Sequence, residues 1–263
     1  MATDQSQERV ALVTGAAAGI GRATAELLVE DHAGVVLVDL KEESLGWAAG
    51  DDRFEVVAGD VSIPATNEAA AKAALDRFGR LDTVVLNAGV SWTGRLESMP
   101  IDEAAKIIDV DLWGVIHGTR AAIGALKESP AAAVVVTASV SGFGADPDMW
   151  AYDTAKGGVI NFVRSAAWDL AADGIRVNGV APGPVRTALT SYIETDAPEA
   201  YEALRQAVPL GRWGESVEIA EVIKFLASSA ASFVTGVVVP ADGGVTAGTG
   251  QFHPGSALSK DAD

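Results

Sequence analysis

The sequence has no cysteine, only three histidines and about half as many basic as acidic residues, and each shortage removes a class of chemistry. Without cysteine there is no disulfide, no thiolate nucleophile and no cysteine-based metal site. His32, His117 and His253 are scattered without ligand spacing, so packing or surface roles are expected for them and no metal site is. Lys and Arg number 19 against 36 Asp and Glu, a formal net charge of −17. That balance argues against nucleic acid and anionic membrane surfaces, both of which select basic patches. No apolar run approaches the ~18 residues that a bilayer-spanning helix needs. The opening stretch MATDQSQER has neither a cationic lead nor an apolar core, so no secretory signal is expected. The reading is a soluble, cytoplasmic protein.

What remains is apolar and small. Hydrophobic residues make up 49% of 263 positions, with 28 glycines, which suits close helix–sheet packing in one large domain. Strand-like β-branched runs at Val10–Thr14, Val35–Leu40, Phe54–Ala58, Thr83–Asn87, Ala133–Ala138 and Arg176–Val180 alternate with helical patterns. The helical stretches are Ile20–Asp31, Glu42–Ala49, Pro64–Gly79, Ile101–Leu126 and Trp150–Ala172. Near-continuous apolar strands imply a sheet covered on both faces, hence parallel, and the alternation gives a doubly wound α/β domain. A further helix near Val217–Ser229 and a last strand near Val234–Val239 make seven strands. Residues 1–8 and 248–263 are expected to be flexible ends around one domain over 9–247. The long aromatic-bearing stretch 184–214 follows a strand's C-terminal end, where open α/β sheets bind ligands, and is read as a substrate lid.

Tyr152 and Lys156 stand four apart on a predicted helix and project from one face. An ammonium close to a phenol lowers its pKa from about 10 by roughly 1–3 units, so such a Tyr can exchange a proton near neutrality. The pair alone is a weak signal. It gains weight because Tyr152 alone of three tyrosines has a Lys at that spacing, and because Ser139 ends an apolar strand thirteen residues earlier. At the other end, Val10–Thr14 runs into Gly15-Ala-Ala-Ala-Gly19-Ile20-Gly21 and then a helix. Glycines there let a backbone approach a pyrophosphate seated on a helix N-terminus. Asp39, ending the second strand about 20 residues on, can accept ribose hydroxyls and would repel a 2′-phosphate. No Arg lies in the turn or directly after Asp39, so NAD is favoured over NADP, with Lys41 the one reservation.

In order along the chain, TGAAAGIG (14–21), Asp60-Val61, Asn87-Ala88-Gly89, Ser139, YDTAK (152–156), NGVAPG (178–183) with Thr187, and Asp242-Gly243-Gly244 resemble the short-chain dehydrogenase/reductase family, its shorter branch. The resemblance spans about Val10 to Val245. It implies a Rossmann-type domain, hydride transfer with NAD, and a homotetramer. Tyr152 would be the general acid/base, Lys156 would lower its pKa and hold the nicotinamide ribose, and Ser139 would hydrogen-bond the substrate oxygen. Gly15, Gly19, Ile20, Gly21, Asp39, Leu40, Asp60, Val61, Asn87, Ala88, Gly89, Pro182, Gly183, Val185 and Thr187, with Tyr152 and Lys156, would bind the cofactor. One position departs: Asp111 stands where the family usually has Asn. Its charge would offset part of the lysine's pull on Tyr152, which bears on the proton relay and not on cofactor binding.

Trp92, Phe143, Trp150, Leu189 and Tyr192 make an apolar, aromatic candidate lining for a hydrophobic secondary alcohol or ketone, a cyclic one by preference. Arg95 and Arg186 are candidates for a substrate carboxylate, with a solvated surface position the stronger reading for each. The alternatives are a 3-oxoacyl-carrier-protein-type reductase, against which the acidic charge speaks, and a cofactor-sensing regulator without catalysis. Asp111 is the one feature in favour of the latter.

Overall fold

A computed structural model describes residues 9–249 and residue 254. The expected flexible ends, 1–8 and most of 248–263 with His253, lie outside the described residues. The six strand runs form β1 (Val10–Thr14), β2 (Gly34–Asp39), β3 (Phe54–Ala58), β4 (Thr83–Leu86), β5 (Ala133–Thr137) and β6 (Arg176–Pro182). Val185–Arg186 (β7) and Gly214–Glu215 (β8) make a separate two-stranded pair, and β9 (Val238–Ala241) completes the main sheet. The chain is a single α/β domain whose seven-stranded parallel sheet runs in the order β3-β2-β1-β4-β5-β6-β9.

Alternation along each strand divides the core in two. Val10 and Leu12 point to the face that α2 (Pro64–Phe78), α4 (Gly114–Leu126) and α5 (Trp150–Leu170) cover. Ala11 and Val13 point to the face under α1 (Gly19–Leu28) and α8 (Ser216–Ala227). Burial on both faces is why β1 is apolar from Val10 to Val13. The strand order reverses between β1 and β4, which opens a crevice at the carboxyl edge of both.

Three elements differ from their sequence reading. The long helix expected from Ile101 to Leu126 is α3 (Ile101–Ile108), one π-helical turn (Asp109–Trp113) and then α4. A π turn carries an extra residue in the helix, a feature that recurs at functional sites, and here it contains the fully buried Asp111. The last strand begins later than expected, because the segment before it is tied down by other bonds. Asn178 Nδ2 donates to the Val234 carbonyl at 2.8 Å, and the Gly236 N–H donates to the Val177 carbonyl at 2.8 Å. Glu42–Ala48 is a 3-10 helix.

The stretch 184–214 is anchored at both ends by the pairing of β7 with β8. Between them lie α6 (Ser191–Asp196) and α7 (Pro198–Ala207), neither of which buries a residue. Tyr201 of α7 stacks on the buried Trp213 with ring centres 4.6 Å apart. Arg186 binds Glu215 at 2.5 Å and the Tyr201 hydroxyl, while Arg95 pairs with Glu97 at 2.5 Å; both arginines are exposed. No helix among the described residues is long and apolar enough to cross a membrane.

Candidate active site

The glycine turn leaves β1 with positive φ at Gly15 (67°) and Gly19 (58°). A Cβ on Gly21 would sit 2.1 Å from the Gly15 carbonyl oxygen, so the turn closes only around glycine. The first N–H groups of α1 have no side-chain cap, which leaves them available to an anion. Asp39 is wired into the same turn: Oδ2 accepts the Ala17 N–H at 2.9 Å and Oδ1 accepts the Leu40 N–H at 2.8 Å. Trp47 Nε1 donates to the Ala16 carbonyl at 3.2 Å from the other side. Asn87 joins three strand ends, with Nδ2 donating to the Thr14 carbonyl at 3.1 Å and Oδ1 accepting the Thr137 hydroxyl at 3.1 Å.

At the far end, α5 presents Tyr152 and Lys156. The Lys156 ammonium lies 5.5 Å from the Tyr152 ring centre, 3.2 Å from the Thr137 carbonyl and 3.0 Å from Asp111 Oδ2. The last contact is an ion pair off the angle of a good hydrogen bond, which leaves Oδ2 otherwise without a partner. Asp111 Oδ1 accepts the Val90 N–H at 2.8 Å, which fixes the carboxylate against the loop after β4. Gly89 leaves room for this approach, since a Cβ there would lie 3.0 Å from Asp111 Oδ2.

Burial and charge oppose each other at all three groups. Burial pushes the Asp111 carboxyl up from its ordinary value, against the attraction of Lys156 and the Val90 N–H. Burial acts most strongly, to lower the Lys156 ammonium, but Asp111 and Tyr152 together oppose it and the lysine ends up raised. The Tyr152 phenol is raised, first by burial and then by the Asp111 charge, while Lys156 and a hydrogen bond from Ser139 pull it down.

One cavity of about 380 Å³ runs between the two ends. Gly15, Gly19, Ile20, Asp39, Leu40, Asp60, Val61, Asn87, Ala88, Gly89, Asp111, Ser139, Tyr152, Lys156, Pro182, Gly183, Val185, Thr187 and Leu189 line it, as read from the sequence. Gly21 stands behind the wall, where it permits the turn. Trp92, Phe143 and Tyr192 are exposed outside the lining, and Trp150 packs beside Met99, Ala104 and Ile107. Among the described residues Lys156 is the one cationic side chain of the lining. The wall also includes Val90, Val110, Thr137 and Thr190, which the sequence reading missed. Thr190 Oγ1 donates to the Val185 carbonyl at 2.7 Å and closes the turn after β7, a role no local pattern announces.

Comparison with known proteins decides the family. A family model described as Enoyl-(Acyl carrier protein) reductase matches residues 15–246. The chain belongs to the short-chain dehydrogenase/reductase family. Cis-4-hydroxycyclohexanecarboxylate dehydrogenase of Sinomonas cyclohexanicum is 40% identical over 247 residues, 91% of this chain and 97% of the relative. Meso-2,3-butanediol dehydrogenase of Serratia marcescens is 36% identical over 246 residues, 92% of this chain and 96% of the relative. The crystal structure of levodione reductase matches with a TM-score of 0.84 at 36% identity, covering 92% of this chain and 98% of that one. As a short-chain dehydrogenase/reductase the chain is an oxidoreductase that interconverts alcohols and ketones and uses a nicotinamide cofactor. Its residues fit such a group, because the uncapped helix start and the turn that only glycine can close form a phosphate cradle.

Proposed function

We propose that the protein is an NAD(H)-dependent oxidoreductase that interconverts a hydrophobic, cyclic secondary alcohol and its ketone, with Tyr152 as general acid/base. The observation that carries this reading is the shared cavity: Ser139, Tyr152 and Lys156 stand in the same crevice as the glycine cradle. The nicotinamide cofactor, when bound, supplies the hydride acceptor or donor. Everything else falls to this chain. The glycine turn and the α1 N-terminus bind the pyrophosphate, and Asp39 accepts the ribose hydroxyls while repelling a 2′-phosphate. Ser139 and Tyr152 orient the substrate oxygen. In oxidation Tyr152 Oη takes the hydroxyl proton, and in reduction it returns one. Lys156, held by Asp111 and the Thr137 carbonyl, stabilises the phenolate that oxidation requires. Residues 184–214 serve as the lid and exclude water, with Leu189 on the substrate side.

The lining bears on the substrate. Among the described residues Asp39, Asp60 and Asp111 are its acidic members and Lys156 its one cation, which Asp111 already pairs. A carboxylate on the substrate ring finds no counter-ion there, so a neutral ring is favoured over a hydroxy acid. The family model's description supports a second reading, reduction of an acyl group on carrier protein. An acidic carrier would meet a chain of charge −17, which speaks against it. Absorbance of the reduced nicotinamide separates the two. Cyclohexanol with NAD should be turned over faster than a 3-hydroxyacyl thioester, and the reverse order would favour the carrier reading. We also propose a homotetramer, supported by Trp168 on α5 and Phe233, at 88% and 104% exposure. Sedimentation should give a species well above one 26.9 kDa chain.

A further inference from the structure

The peptide that joins Ala16 to Ala17 in the glycine turn is held from both of its ends. Its N–H donates to Asp39 Oδ2 at 2.9 Å, and its carbonyl accepts the Trp47 indole N–H at 3.2 Å. A trans peptide points its N–H and its carbonyl in opposite directions, so the two contacts fix one plane between them. The Ala16 N–H donates to the Val38 carbonyl at 3.2 Å, which ties the preceding peptide to β2 as well.

The indole is itself held on several sides. It meets Phe54 edge to face, with ring centres 5.2 Å apart and planes at 70°. The Arg22 guanidinium sits 4.9 Å from the centre of the indole, and Arg22 in turn pairs with Glu26. Leu45 and Ala48 bury into the core and anchor the 3-10 helix that carries Trp47. The donor therefore meets the Ala16 carbonyl already oriented. Trp47 stands outside the cavity wall, so any effect it has on a ligand passes through the residues it holds.

An ionised carboxylate can only accept, so Asp39 takes its aim from the N–H groups that reach it, those of Ala17 and Leu40. Leu40 follows Asp39 directly in the chain and moves with it. Ala17 is thus the contact that relates the carboxylate to the turn. If the Ala16–Ala17 peptide turned over, its carbonyl oxygen would face Asp39 Oδ2 and repel it. We propose that Trp47 is a positioning residue for the cofactor's ribose, because it holds this peptide so that Asp39 stays aimed at the ribose hydroxyls. The proposal rests on Asp39 being the ribose acceptor. Trp47 then contributes to the preference for NAD over NADP without touching either cofactor.

Trp47→Phe keeps a ring against Phe54 and beneath Arg22 and removes the indole N–H. NADH and NADPH are titrated onto the full chain by nicotinamide fluorescence, so that binding is read without catalysis. NADH binding should weaken by about threefold to tenfold, the range of one hydrogen bond. NADPH gains nothing from a well-aimed Asp39, so its binding should weaken less and the ratio of the two affinities should narrow. In an Asp39→Ala background the same substitution should change NADH binding by less than about twofold, because no carboxylate is left to aim. A turn merely loosened by the loss of Trp47 would weaken both cofactors equally and act as strongly in either background. Either of those results overturns the proposal, as does unchanged NADH binding by Trp47→Phe. If Asp39→Ala alone leaves NADH binding unchanged, the ribose reading itself falls and the proposal with it. Should Trp47→Phe not fold, the wild type decides. Deuterium exchange of the Trp47 indole N–H should slow by about tenfold or more with NADH bound, and less with NADPH. An exchange rate that NADH leaves unchanged overturns the proposal.

Discussion

Asp111 Oδ2 sits 3.0 Å from Lys156 Nζ, and the two side chains are 0% and 4% exposed. A buried pair of this kind couples strongly, because little water screens it. The carboxylate holds the lysine charged and in place. It also adds a negative charge that opposes ionisation of Tyr152.

Asp111→Asn keeps an acceptor for the Val90 N–H and removes the charge. The acidic limb of the oxidation rate, which reports deprotonation of the Tyr152 system, should move to lower pH by on the order of one unit. NADH affinity should stay nearly the same. Leaving Lys156 without its counter-ion should cost up to about 3 kcal/mol of stability, read as a lower Tm. A pH profile that overlays the wild type would remove the electrostatic argument.

Asp39→Ala should shift cofactor preference towards NADPH. The ribose loses its acceptor, and the repulsion of a 2′-phosphate is relieved. Because Asp39 Oδ2 also accepts the Ala17 N–H, the glycine turn should loosen and NADH should bind more weakly. Fluorescence titration with both reduced cofactors reads this. Tighter binding of NADPH than NADH by the wild type would contradict it.

His32 lies far from the cleft, buried beside Thr83, with Nε2 3.2 Å from Oγ1. Burial, with Arg9 adding to it, lowers its pKa from 6.5 to about 4. A depressed histidine is held neutral in the folded state, so it contributes stability above about pH 6.5 that drains away as pH falls towards about 4. The full loss is on the order of 3 kcal/mol. Urea unfolding across that window should show the slope in the wild type, and His32→Gln should flatten it. Equal slopes in the two proteins would count against this account.

The parts of this protein that were legible in sequence are those where one short stretch does one job. The glycine turn, Asp39 at a strand end and the Tyr152–Lys156 helix face each carry their geometry in local spacing. Asp111 stood out as a residue type, but its π turn did not, since that turn exists to aim a carboxylate at a lysine 45 positions away. Trp150 shows the converse error of reading nearness in sequence as nearness in space. Trp150 and Tyr152 both pack against the Met99 cluster, but only Tyr152 also reaches the cavity lining. Trp47 could not be picked out beforehand, because its bond to the Ala16 carbonyl spans 31 positions and no local spacing announces it.

Alcohol oxidation by Tyr152→Phe tests the central claim most directly. The ring stays to pack and only the phenol oxygen goes, so NADH binding should persist while kcat falls by about 10²–10⁴. An activity within about twofold of wild type, with cofactor binding intact, would contradict Tyr152 as the acid/base of this site.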